Sequence, residues 1–223
     1  MPKIIAMIPA RLGSQRLKQK NLLEIDGVPL IVRAMRKAAS MDCFDEVWVN
    51  SEADLIGDLA RAEGIDFHKR PEHLGDNTTT SEQFVYEFLQ AHECDYLVQM
   101  HSIAPLLTRD EISRFTAELT TGGHNTLLSG VPEQIQCMMA GAALNFSITG
   151  MDATQELVPI DRISWSLTGW RSDTYRATVE AGGCATFHGD LGFFALSRPG
   201  GMVVKYEEDY LMIKALAEAG IGE

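Results

Sequence analysis

Ile8-Pro9-Ala10-Arg11-Leu12-Gly13-Ser14-Gln15-Arg16-Leu17-Lys18-Gln19-Lys20-Asn21 is the stretch whose reading decides the fold. It follows the apolar run Ile4-Ile5-Ala6-Met7-Ile8, which reads as a buried first strand. It precedes Pro29-Leu30-Ile31-Val32-Arg33-Ala34-Met35, which reads as a helix with Pro in its first turn. A loop leaving the carboxyl end of a first strand, with one Gly, one Ser and four cations, suits a triphosphate anion. Gly13 lets backbone approach an oxyanion closely, Ser14 donates hydrogen bonds, and Arg11 and Lys20 bring positive charge.

The charge distribution sharpens that reading. Residues 1–37 hold eight Lys or Arg against Glu24 and Asp26, a local balance of +6. The whole 223-residue chain carries −12, so residues 38–223 carry −18. A broad nucleic-acid surface would be basic, and none is expected here. A cationic loop on an acidic body points to a small anion held in a cleft.

Other classes are bounded by composition. With 45 % hydrophobic and 22 % charged residues the chain can bury a sizeable core. No apolar run approaches the roughly 20 residues that span a bilayer, and the start of the chain reads as a strand with no signal peptide. Cys43, Cys94, Cys137 and Cys184 are scattered without metal-ligand spacing, as are the six His. Structural thiols in a reducing cytoplasm are therefore expected, and no zinc site.

Short apolar runs alternate with helical patterns over the first 130 residues. Val47–Asn50, Tyr96–Met100 and residues 125–131 read as strands; residues 53–62, 79–91 and the stretch after Thr108 read as helices. Thr79-Thr80-Ser81-Glu82 and Thr108-Arg109-Asp110-Glu111 read as capping boxes. The alternation implies an α/β fold: a mainly parallel, twisted sheet with helices on both faces. Ligands of such sheets sit beyond the carboxyl ends of the strands, where residues 9–21 must lie. Residues 132–191 lose the alternation and are expected to protrude, either as a dimerisation arm or as a cover over the site. Residues 192–196 resume a strand and 206–219 a last helix, so 1–131 and 192–223 are expected to form the core. Of Phe193-Phe194, one should face the core and the other outward, where it could wall a sugar pocket or simply pack.

Three motifs then carry a resemblance. Residues 8–16 with Lys20-Asn21 and Gly27-Val28-Pro29-Leu30 resemble the signature of the CMP-sugar synthetases, cytidylyltransferases that activate N-acetylneuraminate, related nonulosonates and 3-deoxy-manno-octulosonate. Arg70-Pro71-Glu72-His73-Leu74-Gly75-Asp76 with Thr79-Thr80-Ser81 resembles the second motif, and Leu97-Val98-Gln99 leading to Ala104-Pro105-Leu106 the third. The resemblance is good over residues 3–115 and thin beyond. It implies a Rossmann-like nucleotidyltransferase core, CTP and an acidic sugar as substrates, Mg²⁺ as cofactor and a cytoplasmic homodimer. Arg11 and Lys20 would be catalytic; Ala10, Gly13, Ser14, Asn21, Arg70 and Ser81 would bind the nucleotide; Gln99, Phe193 and Phe194 would face the sugar. Plainer readings stand beside these: Arg70 as a strand-end cap, Gln99 as a satisfied sheet amide, Asn21 as a turn residue.

One departure from the family pattern is explicit. The family places two Asp, one residue apart, on the strand before the last helix to hold Mg²⁺; aligned on Glu207-Glu208-Asp209, this chain has Val203 and Lys205 there. Neither offers the hard oxygen that Mg²⁺ takes. Three explanations stay open: a shifted alignment that lets Glu207 or Asp209 supply an oxygen, the Lys205 ammonium in a cation's place, or a chain that binds a nucleotide without turning it over.

Overall fold

The computed structural model describes residues 1–13, 16–151 and 153–222. In chain order the elements are β1 (Ile4–Pro9), β2 (Glu24–Ile25), β3 (Val28–Pro29), α1 (Leu30–Ala39), β4 (Glu46–Ser51), α2 (Asp54–Ala62), β5 (Asp66–Lys69), α3 (Ser81–Ala91) and β6 (Tyr96–Met100). There follow α4 (Arg109–Thr121), β7 (Thr126–Glu133), β8 (Met138–Met139), β9 (Ala142–Ala143), β10 (Ile160–Arg171), α5 (Ser172–Glu180), β11 (Leu191–Ala195) and α6 (Glu207–Glu218).

Among the described residues, seven strands form one sheet in the order β11-β7-β10-β6-β1-β4-β5. All pair parallel except β10, which is antiparallel to both neighbours. The period-2 alternation of β1 distributes its side chains between two cores. Ile8 packs with Ile31 and Met35 of α1, Ile56 of α2 and Phe115 of α4. Ile5 and Met7 pack on the other face with Phe88 of α3, Trp170 of β10 and Tyr175 of α5. Helices thus cover both faces, as the alternation predicts. A third cluster joins Ile25, Leu30, Leu106, Val204 and Ile213, seating α6 on the β2–β3 hairpin. That hairpin turns on Asp26 (φ 51°) and Gly27 (φ 71°), both left-handed, the conformation that an Asp-Gly turn supplies.

Two local expectations are refined. Pro29 ends β3 and stands just before α1 rather than inside its first turn. The first capping box runs from Thr80 to Gln83, and the second from Thr108 to Glu111 as read.

Residues 132–191 depart from the expected protrusion. β10 is inserted between β6 and β7, and α5 packs on the α3 face of the sheet. Polar residues inside β10 make this strand hard to read: Ser164, Ser166 and Thr168 are all buried. For the two serines, partners explain the tolerance, since Ser166 Oγ donates to the Gly200 carbonyl at 2.9 Å and lies 3.1 Å from Ser164 Oγ, whereas Thr168 Oγ1 is unpartnered among the described residues. The strand also breaks register between Ile163 and Thr168, where Trp165 takes a left-handed φ of 64°. Within this stretch, residues 134–151 and 153–159 add no strand to the seven-stranded sheet; they carry the β8–β9 hairpin and leave Met138, Met139, Leu144, Ile148, Met151 and Val158 exposed.

Phe115 is fully buried and meets Phe194 edge-on at 5.5 Å. Phe115→Ala should lower unfolding free energy by about 3–5 kcal/mol, the usual cost of such a cavity, measured as a shift of the urea midpoint at unchanged slope.

Candidate nucleotide site

The carboxyl end of β1 opens into a cleft of about 230 Å³. Its walls come from the loop after β1 (Arg11, Lys20, Asn21), the segment between β5 and α3 (Arg70, Leu74, Asp76, Thr79), the start of α3 (Ser81, Phe84) and the turn after β6 (His101, Ser102, Ile103). A larger cavity of about 600 Å³ lies around Lys3, Cys94 and Arg176, at the opposite, amino end of β1 and β6. The chemistry read in the sequence converges on the first.

Buried polar contacts set the cleft's frame. Arg70 is 3 % exposed; one guanidinium nitrogen donates to the Ala10 carbonyl at 3.0 Å and to Glu52 Oε2 at 2.7 Å. Its guanidinium carbon stands 4.9 Å from the Phe84 ring centre. Glu52 Oε1 in turn accepts from the Leu12 N–H at 3.3 Å. Asn21, also buried, donates to the Arg11 carbonyl at 2.9 Å and accepts from Ser102 Oγ at 2.8 Å. Both amide ends of Asn21 are therefore engaged in closing the base of the loop, and Arg70 anchors its start. Asp76 accepts from the Thr78 hydroxyl and from the backbone N–H groups of Thr78 and Thr79, which pulls its carboxyl down to about 2. The Asp76 carbonyl accepts from Arg11 at 2.7 Å.

Within this frame the charges gather. Lys20 is half-buried, and its ammonium is held below the ordinary lysine range by desolvation first, then by Arg11, Arg16 and Lys205. Cations placed this close together, without a matching carboxylate, gain from an anion between them. Beside them His101 is pushed down to about 4, by desolvation first and by Lys20 second, so its imidazole is neutral near pH 7. Its Nε2 lies 2.5 Å from Gln99 Nε2. Gln99 is 1 % exposed and sits beneath His101, with its Oε1 unpartnered among the described residues.

Of the residues expected from the sequence, Ala10, Arg11, Lys20, Asn21, Arg70 and Ser81 line the cleft. Gly13 is exposed, with nothing within 4 Å of where a Cβ would stand. Ser14 lies outside the described residues. Phe193 and Phe194 are displaced from their expected place: β11 is the sheet edge beyond β7, β10 and β6, and Phe194 packs against Phe115 and under Arg114. The packing alternative accounts for Phe194, and Phe193 lies against Gly130. Glu52, Phe84 and His101 were not singled out by sequence reasoning. Two of them had a usable signal: Glu52 directly follows β4 and His101 directly follows β6, at the strand ends where such sheets bind ligands.

The residues present do not fit the Mg²⁺ that the resemblance implies. Among the described residues no three His, Cys, Asp or Glu gather as a metal centre. Asp209 Oδ2 accepts from the Lys205 and Tyr206 N–H groups, both at 2.9 Å, as the capping box of α6. The shifted-alignment explanation looks to Glu207 or Asp209: the helix start already uses this Asp209 oxygen, and Glu207 is exposed in the first turn of α6. Around Lys20 the neighbours are cations.

Two outcomes follow. Glu52→Ala strands the Arg70 guanidinium in a buried place and should cost about 3 kcal/mol, read from the urea midpoint. The depressed His101 gives stability that is full above about pH 6.5 and declines as pH falls toward about 4, because the unfolded chain takes up a proton that the folded one refuses. Unfolding free energies at pH 7 and 4.5, compared with His101→Asn, should show wild type losing about 2–3 kcal/mol more than the variant.

Comparisons with known proteins bear on the family and the fold. The chain is 30 % identical over 129 residues to N-acylneuraminate cytidylyltransferase A of Danio rerio, covering 57 % of this chain and 30 % of that one. It is 36 % identical over 90 residues to the N-acylneuraminate cytidylyltransferase of Escherichia coli O18:K1:H7, covering 40 % and 22 %. The matches span less than a third of the length of these two curated relatives. A pseudaminic acid cytidylyltransferase of Campylobacter jejuni is 32 % identical over 114 residues, covering 48 % of this chain and 49 % of that one. Among solved structures, a CMP:2-keto-3-deoxy-manno-octonic acid synthetase complexed with CTP superposes with a TM-score of 0.73 at 16 % identity, covering 98 % of this chain and 99 % of that one. That likeness is one of fold. The profile of the family described as Cytidylyltransferase matches residues 5–140, more than half of the chain, and with the three motifs set around one cationic cleft the chain belongs to that family.

Proposed function

We propose that this protein couples CTP to the anomeric hydroxyl of an acidic keto-sugar of the sialic acid type, releasing pyrophosphate and giving a CMP-sugar. The observation that carries the reading is the meeting of Arg11 and Lys20 in one cleft at the carboxyl end of β1, with Arg16 in electrostatic reach of Lys20, in a chain of this family. The phosphates lie along these cations, and the nucleoside reaches toward Ser81 and Phe84 over the Arg70 anchor. The sugar enters from the His101 side, above Gln99. Its hydroxyl oxygen attacks the α-phosphorus in line; the new P–O bond forms as the bond to the β-phosphate oxygen breaks, pyrophosphate leaves with the electron pair, and the proton passes to solvent. Positioning and charge neutralisation by Arg11 and Lys20 supply most of the acceleration, since the reaction needs little covalent chemistry from the protein.

The likeness to a CTP-bound fold and to curated relatives acting on N-acylneuraminate, octulosonate and pseudaminic acid supports the nucleotide and the substrate class. A homodimer joined through residues 134–159 and a cytoplasmic location complete the proposal. The exposed methionines and aliphatic side chains of that arm support the first, and four unpaired cysteines the second. Among the described residues no helix is long and apolar enough to cross a membrane.

Pyrophosphate release, assayed with CTP and a panel of keto-sugar acids with and without MgCl₂, should appear for at least one acceptor and not without acceptor. Silence with every acceptor would overturn the reading. Lys20→Ala should cut turnover by about 10²-fold or more at saturating CTP, as expected for removing a charge that meets the transition state.

A further inference from the structure

The segment that carries Lys205 is tied to the cleft and its loop at two points and braced by a third contact of its own. The Val204 N–H donates to the carbonyl of Ile103, a cleft residue, at 2.9 Å. Arg16, in the loop after β1, stands over the Tyr206 ring at 5.8 Å. Asp209 holds the backbone N–H groups of Lys205 and Tyr206. Lys205 itself is exposed, within electrostatic reach of Lys20, and lines a second cavity of about 240 Å³ with Arg162, Val203 and Asp209.

Three carboxylates in or beside the cleft and the Lys205 cavity are engaged elsewhere. Asp76 is turned into its own Thr78–Thr79 turn, Glu52 is paired with Arg70, and Asp209 caps α6. A divalent cation brought here would meet Arg11, Arg16, Lys20 and Lys205. A nucleoside triphosphate, with about four negative charges near neutral pH, meets the same four cations as a balanced partner.

We propose that the Lys205 ammonium neutralises the triphosphate where a divalent cation would otherwise serve, so that this site takes free CTP rather than its magnesium complex. The proposal rests on the nucleotide reading above and makes it narrower: the substrate is the uncomplexed anion, and Lys205 is a binding residue for its phosphates.

Calorimetric titration of the full chain with CTP, in EDTA and in MgCl₂, tests this. Wild type should bind at least as tightly in EDTA as with Mg²⁺. Lys205→Ala should weaken binding in EDTA by about tenfold or more, and Lys205→Arg should restore most of it, with the unliganded unfolding midpoint unchanged in both. Binding that vanishes in EDTA and returns with Mg²⁺, or a Lys205→Ala affinity within about twofold of wild type, overturns this proposal and leaves the nucleotide reading standing. No CTP binding under either condition overturns both.

Discussion

A buried guanidinium holds the site together. Arg70 reaches from the end of β5 to the Ala10 carbonyl at the end of β1 and to Glu52 at the end of β4, and lies against Phe84 of α3. Three parallel strands and one helix are thereby fixed at the edge where their ligand belongs. A buried charge of this kind is costly unless hydrogen-bonded, and with its Nε unpartnered among the described residues Arg70 depends on these two acceptors, so the geometry tolerates little drift. The loop after β1 inherits its direction from this anchor at one end and from the Asn21–Ser102 bond at the other.

What the frame presents is a concentration of like charge. Arg11, Arg16 and Lys205 all act against the charge of the half-buried Lys20, and the protein holds them there because packing elsewhere covers the cost. Leu17 and Leu23 pack with Val204 and Ile213, so the loop after β1 and the approach to α6 are pressed together by apolar burial. Hydrophobic contact sets the distance, and electrostatics makes that distance useful to an anion. The neutral His101, lowered by the same desolvation and the same Lys20, is a second consequence of the arrangement.

Much of the fold could be read directly from residues. β1, β4, β6, β7 and β11 announce themselves as apolar runs, and Thr108 with Glu111 marks the start of α4 through a local hydrogen-bond pair. β10 could not be read so, since Ser164, Ser166 and Thr168 look like loop residues. For the two serines burial becomes acceptable only where partners such as the Gly200 carbonyl, far along the chain, come within reach. The same limit explains Phe193-Phe194: two consecutive aromatics fit a pocket wall as well as an edge strand, and the strand order alone separates them from the cleft.

The amino-acid sequence by itself determined the alternating α/β pattern, the cationic loop after β1, and three motifs whose order identifies the family, because these depend on periodicity and spacing within short stretches. The tertiary structure alone decided that Asn21 and Arg70 brace the loop, that Glu52 pairs with Arg70, and that Lys205 stands among the phosphate-loop cations. Those facts join residues from different elements, as far apart in the chain as Lys20 and Lys205, and such distances are fixed only when the sheet and its three apolar clusters close.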